Sequence, residues 1–480
     1  MRFTLIQCTT LVSVISTAVA QVSFTAYAND FVDPDYILAK NFGANTQAAQ
    51  ASIMAWAGST AVGGPWSVMD KNVTPPSGNK HDYMSWAPYW WPDCSKVGNT
   101  TELTPEQIWV TCPYVSRDGQ FNPDGRLVND VGAFQSMSEA VFYNTLAWVF
   151  ATGDSKTSYE NIVVKFLKAW FLDDATKMNP NLAYGQMQRG PTGQVGSHTG
   201  VLDLKAMAKV TSAILILRKG GSTQWTSDLD NQLIAWTKEY ITWLETAEIA
   251  IEEALATNNH GTFYYNQLAA LKVLVNDNAG AKNATNTYFN TLYMNQITAS
   301  GEQPLEAVRT RPYHYHSYNL AAMITNARIE KYADPSSTVW NKTTAEGATI
   351  KTALDFALGL SASATGESKY VEELYPNVAA VAAVYGDAGG KYDAFLKQGE
   401  PGFMGEPYIL WNQPFALDEA SGRVTSTPSS SSPATKSSGK STSTGKAVSN
   451  STQGSGASSI RASVWVCISA LTLGAGFLVF

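Results

Sequence analysis

The stretch Thr257-Asn258-Asn259-His260-Gly261 divides two helically periodic runs, residues 228–256 before it and 263–275 after it, the second opening on Phe263-Tyr264-Tyr265. Apolar residues recur in both runs at the three- and four-residue spacing of a helix face. Asn and Gly end helices for backbone reasons, so the pentapeptide reads first as a cap and turn. It also holds an Asn-Asn-His cluster between two rigid elements, where binding and catalytic groups commonly stand. The same helical spacing recurs over residues 135–150, 157–171, 201–218, 317–331 and 349–360, with turn clusters such as Gly153-Asp154 and Gly220-Gly221-Ser222 between runs. Strict alternation of the strand kind is rare. The expectation is an all-α fold, one domain of successive helical hairpins over residues 21–422. No short repeat has a fixed period, which argues against a regular solenoid. A closed ring of hairpins, an α/α toroid, and an open irregular bundle fit the pattern equally well.

The two ends of the 480-residue chain have a different character. Residues 1–20 carry Arg2, an apolar run and Ala18-Val19-Ala20, the pattern of a secretory signal peptide. Residues 423–456 are mostly Ser, Thr, Gly and Lys and cannot build a core. Residues 457–480 close on the apolar run from Ala462 to Phe480, with no basic flank behind it. A spanning anchor normally keeps such a flank. Small residues, a polar spacer and an apolar tail match a GPI-attachment signal better than a transmembrane span, with Gly454-Ser455-Gly456 or Asn450-Ser451 as attachment site. Asn72, Asn99, Asn283, Asn341 and Asn450 each head an Asn-x-Ser/Thr triplet, in keeping with secretion. The expected product is extracellular, monomeric and tied to a membrane only through that anchor.

Of four cysteines, Cys8 and Cys467 fall in the end segments, so Cys94 and Cys112 remain and most simply pair. In the chain-entropy model a bridge over so short a loop stabilises by roughly 3 kcal/mol. Two cysteines this far apart give no metal framework. A net charge of -7 argues against nucleic-acid binding and offers no global steering of a polyanion, so an anionic substrate needs local Arg or Lys groups. Only 15% of residues are charged, against 14 Trp and 22 Tyr, a composition that suits sugar stacking or a large aromatic core.

Three segments concentrate His, Tyr, Trp and Asn, and all five histidines (His81, His198, His260, His314 and His316) fall in them. The first is Lys80-His81-Asp82-Tyr83-Met84-Ser85-Trp86-Ala87-Pro88-Tyr89-Trp90-Trp91-Pro92-Asp93. The second runs from Pro180 through Asn181-Leu182-Ala183-Tyr184-Gly185-Gln186 to Gly200. The third joins the opening stretch to Arg309-Thr310-Arg311-Pro312-Tyr313-His314-Tyr315-His316.

The first segment, with Trp66 to Gly78 before it, resembles a signature of the alginate lyase family of the poly(mannuronate) lyase type. The Asn181–Gln186 run with its Gly-rich loop, the Asn258–Gly261 turn and the Arg311–His316 run are also similar, in the same order, over roughly residues 50–330. Together with the two ends, the chain looks like a fungal-like, secreted, GPI-anchored member. The resemblance implies an α/α toroid and β-elimination on a uronate polysaccharide, with no cofactor and no metal, because Arg and Asn can neutralise the uronate carboxylate. It implies a Tyr and a His as base and acid, which fall on Tyr315 and His260, with Asn259 and one of Arg309 and Arg311 on the carboxylate. Tyr315 lies between two histidines, which are expected to help lower its pKa. Expected substrate contacts are Tyr83, Trp90 and Trp91 in a loop over the cleft, then Tyr184, Gln186, Asn258, His314 and His316. A hydrolase would instead need two facing carboxylates, for which Asp82, Asp93, Glu252, Glu253 and Glu306 are available. A non-catalytic binding protein on the same scaffold is the third reading.

Overall fold

The computed structural model describes residues 31–97 and 102–412. The signal peptide, the linker and the apolar tail lie outside these residues, as do the triplets at Asn99 and Asn450. Among the described residues, no helix is long and apolar enough to cross a membrane.

Five helices, Asp130–Phe150, Met207–Lys219, Asn259–Leu274, Pro312–Ala333 and Tyr375–Tyr385, form an inner layer in which each packs on the next. Gly153–Leu167, Ser227–Thr246, Asn278–Asn290 and Ile350–Ala357 cover them from outside. Gln47–Thr60 packs on the first inner helix and on the turn Pro407–Trp411, which touches the last one. The ring thus comes back to its start, and the architecture is the α/α toroid rather than an open bundle.

The two layers differ for a physical reason. Ser227–Thr246 and Ile350–Ala357 bury one stripe, as an amphipathic surface helix does. Asp130–Phe150 and Pro312–Ala333 are buried on nearly every face, so their polar residues must find partners inside. Asn266 donates to the Ala322 carbonyl (3.4 Å) and Asn326 to that of Thr262 (3.0 Å), which holds two inner helices side by side. The first described residues close the ring on itself. The Val32 amide donates to Ser212 (3.1 Å), and Arg328 donates to the Phe31 carbonyl and to Asn412.

Several boundaries differ from those expected. Residues 228–256 are two helices, Ser227–Thr246 and Glu248–Ala254, broken at Ala247, whose backbone is extended. No Gly or Pro marks this break, which is why periodicity runs through it. The next two inner helices begin earlier than their apolar pattern, at Asn259 and Pro312. Asn259, His260 and Tyr315 therefore stand in first helical turns, not in loops. Gly261 is obligatory in its turn, since a Cβ there would meet the Ala256 carbonyl oxygen at 2.0 Å.

Two small sheets sit over one end of the ring. Met84–Trp86 pairs in parallel with Tyr184–Met187, with Met84 opposite Tyr184 and Trp86 opposite Met187. Trp90–Pro92 pairs antiparallel with Tyr114–Ser116, with Trp91 opposite Val115. The Cys94–Cys112 disulfide closes the second sheet, with Cα atoms 4.9 Å apart. Arg189 fastens the layer: its guanidinium lies 4.1 Å from the Trp86 ring and 4.5 Å from that of Tyr114, and donates to Asp124 (3.1 Å).

Candidate active site

Buried glutamates aim the two helices that carry the predicted catalytic residues. The orphan N–H groups at a helix start need acceptors, and the helix dipole favours an anion there. Glu306 accepts the Asn259 backbone N–H (2.7 Å) and its side-chain amide (2.6 Å). Glu367 accepts the N–H groups of Tyr313 (3.1 Å) and His314 (2.9 Å) at the start of Pro312–Ala333. Burial pushes the Glu306 carboxyl up, against the two Asn259 bonds that pull it down. Because Glu306 lies six residues before Pro312 and holds Asn259, both helix starts face the same end of the ring.

His260 does not act alone. Its Nδ1 lies 2.7 Å from Glu253 Oε1, and His198 Nδ1 lies 2.5 Å from Glu253 Oε2. An ionised carboxylate only accepts, so both imidazoles present Nδ1–H to it and keep Nε2 as the free position. Burial raises the Glu253 carboxyl, but the bonds from His198 and His260 outweigh it and hold it below the usual range. The Glu253 bond raises His198 above the ordinary imidazole value. His198 and Glu253 join His260 in a pairing the sequence did not assign, where His198 stood only among the clustered histidines and Glu253 only among carboxylates open to a hydrolase. Glu253 is entirely buried although Glu252 beside it is exposed. The signal available was one glutamate seven residues before His260, too common a spacing to weigh.

Tyr315 faces the pair of arginines. Arg309 Nη2 donates to the Tyr315 hydroxyl (2.9 Å), with its guanidinium 3.9 Å from the ring centroid. Arg309 also donates to Asp118 through Nη2 (2.9 Å) and Nε (3.3 Å). Arg311 instead points its fork at the hydroxyls of Tyr89 and Tyr370. The structure thus separates two arginines that the sequence left equivalent. Of the two, Arg309 bonds the Tyr315 hydroxyl, which the Tyr89 hydroxyl also meets at 3.4 Å. Burial drives the Tyr315 pKa up, with the neighbouring Tyr89 adding to it and the arginines opposing. The expected lowering by histidines is corrected: His314 meets the Tyr315 ring edge-on at 4.8 Å, while its Nδ1 pairs with Glu373 (2.7 Å).

The other expected substrate contacts divide. Tyr83 is fully buried with its hydroxyl on Asp203 (3.0 Å), so its ring offers no face to a sugar. His316 is buried too, its Nδ1 on the Pro312 carbonyl (2.7 Å) and its ring on Phe356. His314 stacks on Tyr318 and bonds Glu373, a packing role. Asn258 caps its helix by accepting the His260 N–H (3.2 Å). The full burial of Tyr83 and His316 corrects those two expectations. Gln186 and Tyr184 stand on the strand under the site. Gln186 holds a left-handed φ of 42° and is pinned by Asp203 (2.9 Å) and Thr199 (2.8 Å). Trp90 and Trp91 are half-buried in a strand rather than a loop, with Arg117 5.3 Å from the Trp91 ring.

The helical toroid and its match to a lyase family make the protein a polysaccharide lyase. The chain belongs to the alginate lyase family, whose model matches residues 67–368 and so includes His260, Tyr315, Asn259 and Arg309. A crystal structure of an alginate lyase from Bacteroides ovatus at 1.60 Å resolution is similar, at 29% identity and a TM-score of 0.67, covering 76% of this chain and 93% of that one. Among curated proteins none matches.

Proposed function

We propose that the protein is a secreted lyase that cleaves a uronate-containing polysaccharide, alginate or a related polyuronate, by β-elimination, with His260 as base and Tyr315 as acid. The observation that carries this reading is the pairing of opposite proton habits at one end of the ring. His260 gives its Nδ1–H to Glu253 (2.7 Å) and so keeps a lone pair on Nε2, whereas burial keeps the Tyr315 phenol protonated. The C5 proton of a uronate is barely acidic while its carboxylate is charged, so that charge has to be offset first. The Arg309 guanidinium, shared with Asp118 and the Tyr315 hydroxyl, is assigned to it, whereas Asn259, 1% exposed with its amide on Glu306 (2.6 Å), is corrected to holding the helix start. His260 Nε2 then takes the C5 proton, the C5–H electrons form the C4–C5 double bond, and the C4–O4 bond breaks. Tyr315 returns a proton to the departing O4, leaving an unsaturated uronate and a new reducing end. Arg309 touching the hydroxyl (2.9 Å) favours the phenolate that remains until it is reprotonated.

The hydrolase reading loses support because the buried carboxylates are committed. Glu253 serves two histidines, Glu306 serves Asn259, and Asp82 accepts from Ser77 (2.6 Å) and Asn179 (2.8 Å). The exposed positions of Asn72, Asn283 and Asn341 support glycosylation and hence secretion, with the GPI anchor proposed from the C-terminal pattern. The test is to incubate purified protein with mannuronate-rich alginate, glucuronan and other polyuronates. The unsaturated product absorbs in the ultraviolet; reducing ends without that absorbance would mean hydrolysis, and neither would mean a binder.

A further inference from the structure

We propose that His198, Glu253 and His260 form a reversible site for a divalent transition-metal ion of the zinc kind, and that filling it silences elimination. The three ligand atoms, two imidazole nitrogens and a carboxylate oxygen, lie within 4.8 Å of one another. Two imidazoles and one carboxylate are a donor set that holds zinc with a fourth position open, and imidazole suits zinc and copper over magnesium or calcium. With metal–ligand bonds of about 2.0–2.2 Å at tetrahedral angles, the N···O separations have to open to roughly 3.3 Å. From 2.5 and 2.7 Å that is a shift of roughly 0.6–0.8 Å per ring. His198 has the room to give it, since its side chain is 34% exposed and sits on the 3-10 turn His198–Leu204. The exposed Glu252, with Oε1 3.6 Å from His198 Nε2, places a second carboxylate at the mouth of the cluster.

The consequence follows from tautomers. In the free protein both Nδ1 atoms carry protons toward Glu253. A metal on Nδ1 requires each neutral ring to move its proton to Nε2, with no net proton released. His260 then shows an N–H where the base needs a lone pair, and the ion offsets the charge of Glu253 that held the tautomer. The binding half of this inference stands on the cluster alone; only the silencing half rests on the lyase reading.

The experiment titrates tag-free full-length protein with zinc chloride by calorimetry, alongside lyase assays. Expected are one ion bound per chain at micromolar concentration, loss of activity with the same midpoint, recovery with EDTA, and no effect of magnesium at equal concentration. His198→Ala, checked by thermal melting, is expected to weaken zinc binding at least ~10-fold. His198→Gln serves if the alanine variant does not fold. Absence of saturable zinc binding, or binding unchanged in both variants, overturns the proposal. Zinc binding by a protein that shows no lyase activity would leave the site standing and sink the functional reading instead.

Discussion

Glu253→Gln puts the site to its sharpest test, because it changes one atom's chemistry and almost no volume. In the wild-type protein the carboxylate accepts from His198 (2.5 Å) and His260 (2.7 Å) at once. An amide has one oxygen to accept and one NH2 that only donates. One imidazole must therefore turn an unprotonated Nδ1 to that NH2 and carry its proton on Nε2. If that ring is His260, the base is lost. If His260 keeps the oxygen, the imidazolium formed on taking the C5 proton still loses a charged partner, a hydrogen bond of about 1.5–3 kcal/mol. Together these lower kcat about 10²–10⁴-fold, the range spanned by loss of general-base action, with KM nearly unchanged. Because the two histidine bonds hold this carboxylate ionised, the amide is also expected to cost stability, so folding of the variant is checked by thermal melting before its rate is read. The assay is initial rate of ultraviolet absorbance gain on a polyuronate that the wild-type protein cleaves. A Glu253→Gln protein that folds and turns over within threefold of wild type would refute the role given to this carboxylate.

Other perturbations separate the remaining assignments. Tyr315→Phe removes the donor to O4 and the partner of Arg309, and is expected to cost about 10²–10⁴-fold in kcat; a small loss would move the acid elsewhere. Arg309→Ala is expected to lower kcat/KM far more than Arg311→Ala, because only Arg309 bonds the Tyr315 hydroxyl while Arg311 braces Tyr89 against Tyr370. Steady-state kinetics that ranked them the other way would reassign the carboxylate contact. Glu406 is held up to about 7 by burial, with Glu400 and Glu372 nearby. A carboxyl raised in the folded state stabilises below its unfolded pKa, and that contribution fades as pH rises through the folded one. Glu406→Gln is therefore expected to raise stability by about 1–2 kcal/mol at pH 8 and not at pH 4, read by denaturant melts. An equal effect at both values would contradict the linkage.

What was legible in the chain follows from what each signal measures. Helical periodicity reports a buried face, so it found three of the four outer helices and the cores of four inner ones, but not Gln47–Thr60, Asn278–Asn290 or Tyr375–Tyr385. It placed the starts of Asn259–Leu274 and Pro312–Ala333 late because their first turns are polar. Those same turns carry His260 and Tyr315, which only the motif resemblance singled out. The break at Ala247 left no mark, since an ordinary residue takes the extended backbone there at no cost. Tyr83, His314 and His316 share the aromatic, His-rich character of the site, yet they point into packing. Composition cannot tell which way a side chain faces. Glu253, His198 and Asp118 act through contacts distant in sequence, which only the folded ring brings together.

The most direct measurement is the appearance of the unsaturated uronate chromophore when the purified protein meets a panel of polyuronates, run beside Tyr315→Phe and His260→Ala. The account predicts ultraviolet absorbance rising with new reducing ends on at least one uronan, and its near-complete loss in both variants. Reducing ends without the chromophore, or a signal that both variants retain, would contradict it.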